Sequence, residues 1–140
     1  MDLTLKLQAQ EVEDLIHRGF ASKTPFLKVE SLAPGVAHVR IPYRDSMLRP
    51  GNVLSGPALF TAADIAMYVL VLSHVGPQLM AVTSDLNMHF VNKGTPGDIL
   101  AEARLLKLGR RNVVMEVSLY SAAAPEKLIT HVTGSYALPI

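Results

Sequence analysis

Between Pro50 and Ser84 the chain carries one formally charged residue, Asp64. Inside that stretch, Gly56–Val75 reads as one long helix. Ser55 is a good N-cap, Pro57 sits in the first turn where its missing N–H breaks no bond, and Gly76-Pro77 ends the run. Apolar residues fall on every side of a 3.6-residue period, so the expectation is a helix buried all round. A membrane span over Val53–Leu72 has the length but contains Gly56, Pro57 and Asp64, and a central Asp costs about 2.5–3.5 kcal/mol on insertion scales. The expectation is therefore no membrane span, and the rest of the chain has to wrap this helix in protein.

The flanking sequence supplies strands. Gln8–Phe20 is a short amphipathic helix with Val12, Leu15 and Ile16 on one face. Leu27–Leu32 and Val36–Ile41 alternate around Ala33-Pro34-Gly35 and read as a hairpin, and Tyr43–Leu54 reads as a loop. After the long helix, Met80–Val91 alternates, with Leu86, Met88 and Phe90 on one face and Asp85, Asn87 and His89 on the other. Asp98–Leu108, Asn112–Tyr120 and Lys127–Leu138 follow, separated by the turn Lys93–Gly97, the tight connection Gly109-Arg110-Arg111 and the loop Ala122–Glu126. Short turns between strands imply an antiparallel sheet. The expected class is α+β: a curved antiparallel sheet of about six strands around a central helix, in a single domain with an N-terminal helix in residues 1–22 and the core in 23–140.

Composition narrows the function. Thirteen Lys and Arg against 12 Asp and Glu leave a net charge of +1, without the basic excess of a nucleic-acid binder. The absence of cysteine excludes disulfide scaffolds, thiolate metal sites and Cys nucleophiles. The five histidines (His17, His38, His74, His89 and His131) have no ligand spacing, so no metal is expected, and they read as surface or strand residues. The N-terminus is charged and lacks a signal-peptide core, which points to the cytoplasm. At 49% hydrophobic and 18% charged, the chain has an apolar surplus that a subunit interface would hide.

Asp64 has two readings. It is either a structural carboxylate, bonded to a hydroxyl or backbone N–H or paired with Arg44 or Arg49, or it is a base or nucleophile, because a buried carboxylate needs a partner or a task. The helix start is the second feature. Asn52-Val53-Leu54-Ser55-Gly56-Pro57 leads into it, Gly56 permits close approach of a ligand to the backbone, and the free N–H groups of a first turn stabilise a developing oxyanion. The plain alternative is capping by Ser55. Gly56 and Asp64 are separated by about 12 Å at 1.5 Å per residue, too far to touch one carbonyl from one chain. If they cooperate, Asp64 comes from a second subunit.

From Leu27 to Leu138 the chain resembles the hotdog-fold acyl-CoA thioesterases, in particular the PaaI-like branch of the phenylacetic acid pathway. The resemblance lies in the order and spacing of Ser55-Gly56-Pro57, Asp64, Thr83-Ser84-Asp85-Leu86-Asn87-Met88-His89-Phe90, Gly97-Asp98 and Gly109-Arg110-Arg111. It implies Asp64 as the catalytic carboxylate, the Gly56 amide as the group that polarises the thioester carbonyl, and Thr83 as a residue positioning water. It also implies substrate contacts from the loop residues Arg49, Asn52 and Ser55, with Asn92, Lys93, Arg110 and Arg111 near the coenzyme A phosphates. The implied assembly is a homodimer, or a dimer of dimers, whose two sheets join and whose sites combine both subunits. No cofactor is implied, since coenzyme A enters as part of an acyl-CoA substrate. Ser55 and Pro57 replace the His and second Gly of the family pattern, and Arg49 stands where many relatives carry Asn or Gln. A hydroxyacyl-thioester dehydratase and a non-catalytic acyl-CoA-binding protein are the rival readings.

Overall fold

A computed structural model describes residues 1–139. Helix α1 is Ala9–Gly19, one residue shorter at each end than its apolar pattern suggests. Gln8 becomes the N-cap, its N–H donating to Glu11 Oε1 at 3.0 Å, and Val12 and Ile16 are the residues that α1 buries. Strands β1 (Lys28–Ala33) and β2 (Val36–Ile41) form the expected hairpin, turning at Gly35 with φ +78°. The segment read as a plain loop contains a 3₁₀ turn, Asp45–Met47, and a two-residue hairpin of β3 (Leu48–Arg49) and β4 (Val53–Leu54). Gly51 (φ +98°) and Asn52 (φ +58°) supply the left-handed backbone that this tight turn needs.

Helix α2 spans Gly56–Val75, as its punctuation predicts. Ser55 Oγ accepts from the Ala58 N–H at 3.2 Å, and Gly76, at φ +89°, closes the far end by donating to the Leu72 carbonyl. Then come β5 (Val82–Phe90), β6 (Ile99–Leu108), β7 (Asn112–Ser121) and β8 (Thr130–Ala137). Six strands make one antiparallel sheet in the order β1-β2-β6-β7-β8-β5, and α2 lies across β2, β6, β7 and β8. The inward residues of those strands meet the middle of α2 in one core: Ala101 and Ala103, Met115 and Val117, Val132, against Ala66, Met67 and Leu70. The small residues of β6 let the helix sit close, and α1 closes the β1 end.

Two further expectations need correction. Helix α2, which is long and apolar enough to cross a membrane, is the core helix, yet it is not buried all round. Pro57, Phe60 and Thr61 are exposed and Asp64 and Tyr68 half-buried, a stripe at helical spacing that the sheet does not reach because β5 is its last strand. His74 is neither a surface nor a strand residue but lies buried in α2. Its Nε2 accepts from the Gly35 N–H at 3.0 Å, which leaves Nδ1 as the protonated nitrogen, 3.0 Å from the Leu70 carbonyl. That bond ties the β1–β2 turn to the end of the core helix.

Candidate active site

Helix α2 and strand β5 run antiparallel along one open ridge. At one end Gly56 faces Phe90, whose ring lies 3.7 Å from the position a Cβ on Gly56 would take. At the other end Asp64 meets Thr83. The ridge therefore carries two half-sites, about 12 Å apart on the helix.

The first half-site is the helix start. Of its first-turn amides, Ala58 is capped by Ser55 Oγ, Leu59 donates to the Ser55 carbonyl at 3.1 Å, and Pro57 has no N–H. The Gly56 N–H has no acceptor among the described residues and stands at the positive end of the helix dipole. A cavity of about 420 Å³ adjoins it, lined by Arg49, Gly56, Phe90, Asn92 and Lys93 among others. Asn92 is fixed by donating to the Leu128 carbonyl at 2.8 Å, while the Arg49 guanidinium, among the described residues, reaches only the Pro50 carbonyl at 3.4 Å. A second hollow of about 290 Å³ lies on the other flank of the helix start, walled by Phe26, Ile41, Met47, Ser55 and Ile65. Asn52 lines neither cavity; its place is in the β3–β4 turn.

The second half-site is built around Asp64, half-buried at the mouth of a cleft of about 440 Å³. The Thr83 hydroxyl donates to Asp64 Oδ1 at 2.6 Å, and the Tyr136 hydroxyl donates to the same oxygen at 2.7 Å. Neither Arg44 nor Arg49 pairs with it within the chain; Arg44 instead donates to the Pro25 carbonyl at 3.4 Å. Burial, and then the negative charge of Asp64, push the Tyr136 phenol far above the usual tyrosine range, so it stays a donor at any working pH.

Thr83 reaches Asp64 because β5 is irregular. On strict alternation Thr83 shares a face with Asp85 and Asn87, away from the helix. The β5–β8 register shifts between Thr83 and Asp85, leaving Ser84 as an extra residue. The bulge turns Thr83 to the side of Leu86 and Met88, where its cross-strand partner is Tyr136. Sequence reasoning missed Tyr136. Its signal was its parity with Thr130, Val132 and Gly134 on the inward face of β8.

Arg110 and Arg111 are exposed at the tip of the β6–β7 hairpin and line none of these cavities. Leu138 donates to the Arg111 carbonyl at 2.8 Å, and Asn112 pairs with Ala137, which pairs with Val82, so the hairpin tip lies at the Asp64 end of the ridge. Asp98 organises the segment in front of the helix start. It accepts from the Tyr43 N–H at 2.7 Å and from Arg40 Nη1 at 2.9 Å, and these bonds hold its carboxyl below the usual carboxylate range.

Known proteins share this fold. Residues 51–125 match the family model described as "Thioesterase superfamily". A putative esterase of Saccharolobus solfataricus is 31% identical over 96 residues, covering 69% of this chain and 68% of that protein. Among solved structures, a putative thioesterase from a Silicibacter species has a TM-score of 0.89 at 32% identity, covering 99% of this chain and 96% of the other. A mutant of the phenylacetic acid degradation protein PaaI from Thermus thermophilus has a TM-score of 0.68 at 27% identity, covering 81% of this chain and 93% of the other. With the family model spanning more than half the chain, and a thioesterase structure superposing on nearly all of it at 32% identity, this chain belongs to the thioesterase superfamily as a PaaI-like hotdog hydrolase.

Proposed function

We propose that the protein hydrolyses acyl-CoA thioesters to the free acid and coenzyme A in a site shared by two copies of the chain. One observation carries this reading: the free helix-start amide and the oriented carboxylate lie at opposite ends of a single exposed α2–β5 ridge. Strand β5 is an edge strand of nine residues with one unpaired side, and Val82, Phe60 and Phe90 along the ridge are 56%, 44% and 58% exposed. A long apolar edge of this kind invites pairing. Two copies related by a two-fold axis near the middle of β5 pair antiparallel, which sets the Phe90 end of one against the Thr83 end of the other. Asp64 of one copy then approaches Gly56 of its partner.

In that arrangement the thioester oxygen accepts from the Gly56 N–H, which stabilises the charge that develops as the carbonyl is attacked. Asp64 either takes a proton from the attacking water or attacks the carbonyl itself and is regenerated by water. Collapse of the tetrahedral intermediate breaks the C–S bond, and the thiolate leaves as coenzyme A. Arg49, Asn92 and Lys93 around the 420 Å³ cavity suit the nucleotide end, and the partner's hairpin cations at Arg110 and Arg111 approach the same end. The apolar hollow beside Ser55 has room for an acyl group of modest size. The Gly56 amide survives the replacement of the family's second Gly by Pro57, because proline removes only its own donor.

The test is turnover of a panel of acyl-CoA esters, from acetyl to long-chain and including phenylacetyl, followed by release of free thiol. Saturable release with at least one ester is the expected result. A well-folded oligomer that releases thiol from none of them refutes hydrolysis, and tight binding without release would favour the acyl-CoA-binding protein.

A further inference from the structure

The geometry points to Tyr136 as a positioning residue that, with Thr83, pins Asp64 Oδ1 and leaves Oδ2 as the oxygen that does the chemistry. This rests on the reading of Asp64 as the catalytic carboxylate. Both hydroxyl donors converge on Oδ1, at 2.6 Å from Thr83 and 2.7 Å from Tyr136, and no donor among the described residues meets Oδ2. The Tyr136 hydroxyl is also 3.0 Å from the Asp64 main-chain carbonyl, so one hydroxyl spans the side chain and backbone of the same residue.

The tyrosine is itself held. It is 4% exposed, and its ring stacks on Tyr68 at 5.9 Å and 17°. The Tyr68 hydroxyl donates to the Leu79 carbonyl at 2.8 Å, which fixes the stacking surface. Two residues before Tyr136, Gly134 lets β8 lie against its neighbours: a Cβ there would stand 2.8 Å from the Asp85 carbonyl oxygen and 3.0 Å from the Met67 sulfur. The remaining walls of the cleft, Phe20, Leu79, Ala81 and Val82, carry no charge, so the hydroxyls of Thr83 and Tyr136 are what orient the carboxylate. Two donors on one oxygen, from two different strands, hold the Asp64 side chain in one χ1 rotamer and oppose rotation of the carboxylate about χ2, so its other oxygen keeps a fixed position. Such placement matters kinetically, since small misplacements of a reacting group are costly.

The test uses Tyr136→Phe, which keeps the ring and its stack, and Thr83→Val, alone and together, in the full-length oligomer. Two readouts are taken beside the melting temperature. The first is the Asp64 χ1 distribution from three-bond NMR couplings, which needs no substrate. One staggered rotamer is expected in the unaltered protein, and averaged couplings in Tyr136→Phe. The second is steady-state kinetics: kcat falls about tenfold in Tyr136→Phe with KM unchanged, about a hundredfold in the double variant, and Thr83→Ser retains the starting rate. A single Asp64 rotamer in a folded Tyr136→Phe protein overturns the inference. So does an unchanged kcat, or an equal loss explained by unfolding. If no ester is hydrolysed at all, the activity reading fails while the couplings still decide the role of Tyr136.

Discussion

Asp64 is held by two hydroxyls and no cation within the described residues, and that decides what its replacement should do. Asn keeps a side-chain oxygen that accepts from Thr83 and Tyr136 and occupies a similar volume, so Asp64→Asn should fold and assemble normally and still bind acyl-CoA. An amide neither takes a proton near neutral pH nor attacks a thioester. The expected loss in kcat is at least about a hundredfold, the low end for a general base. Rate, melting temperature and ligand binding measured on the same preparation check it. Full activity would return Asp64 to a structural role, and loss of folding would do the same by another route. Ser55 illustrates the opposite case: its hydroxyl accepts from Ala58 and caps the helix, which accounts for its presence without chemistry.

At the scale of elements, the segment between β2 and α2 carries Arg49 and delivers Ser55 and Gly56, and Asp98 secures its start. Contacts from the Tyr43 N–H and from Arg40 lower the Asp98 pKa in the folded state. A depressed folded-state value means that the stabilisation is present above the unfolded pKa and is lost as pH falls through the folded one. Asp98→Asn should therefore cost about 1 kcal/mol at neutral pH, discounted for partial exposure. The gap to the parent should close in acid, below the ordinary Asp range of about pH 4. Urea midpoints across pH measure it, and a constant gap would show that the bonds do not depend on charge. The bulge at Ser84 is the second deciding element, because it alone brings Thr83 to the helix side of β5.

For the whole molecule, the open ridge makes assembly and activity one question. A dimer of the 15.2 kDa chain is the expected minimum in light scattering at micromolar concentration. Placing Lys at both Phe60 and Phe90 adds like charges along the edge, a device natural proteins use to block edge pairing. On the proposed shared site, this variant should sediment as a folded monomer and lose thioester turnover. A monomer with undiminished turnover would separate the catalytic site from the dimer.

Much of this was legible in the residues. The apolar period of Gly56–Val75, with Ser55 and Gly76-Pro77 at its ends, set the central helix to the residue, and alternation set the class and the six strands of the main sheet but not the short β3–β4 hairpin, because both signals are local and need several residues to show. The lone charge at Asp64 singled out a candidate by the same logic, since a carboxylate in an apolar run needs a partner or a task. Sequence spacing also separated Gly56 from Asp64 by more than a carbonyl's reach. Strand order was not legible, because which strand becomes the edge is a matter of long-range pairing, and the edge position of β5 is what leaves one stripe of α2 uncovered. Nor was the Tyr136–Asp64 bond, which joins residues 72 apart. It depends on a bulge in β5 that reverses the alternation at Thr83 and on a glycine that lets β8 lie close. Those are facts of register and clearance, which exist only once the strands have paired around the helix.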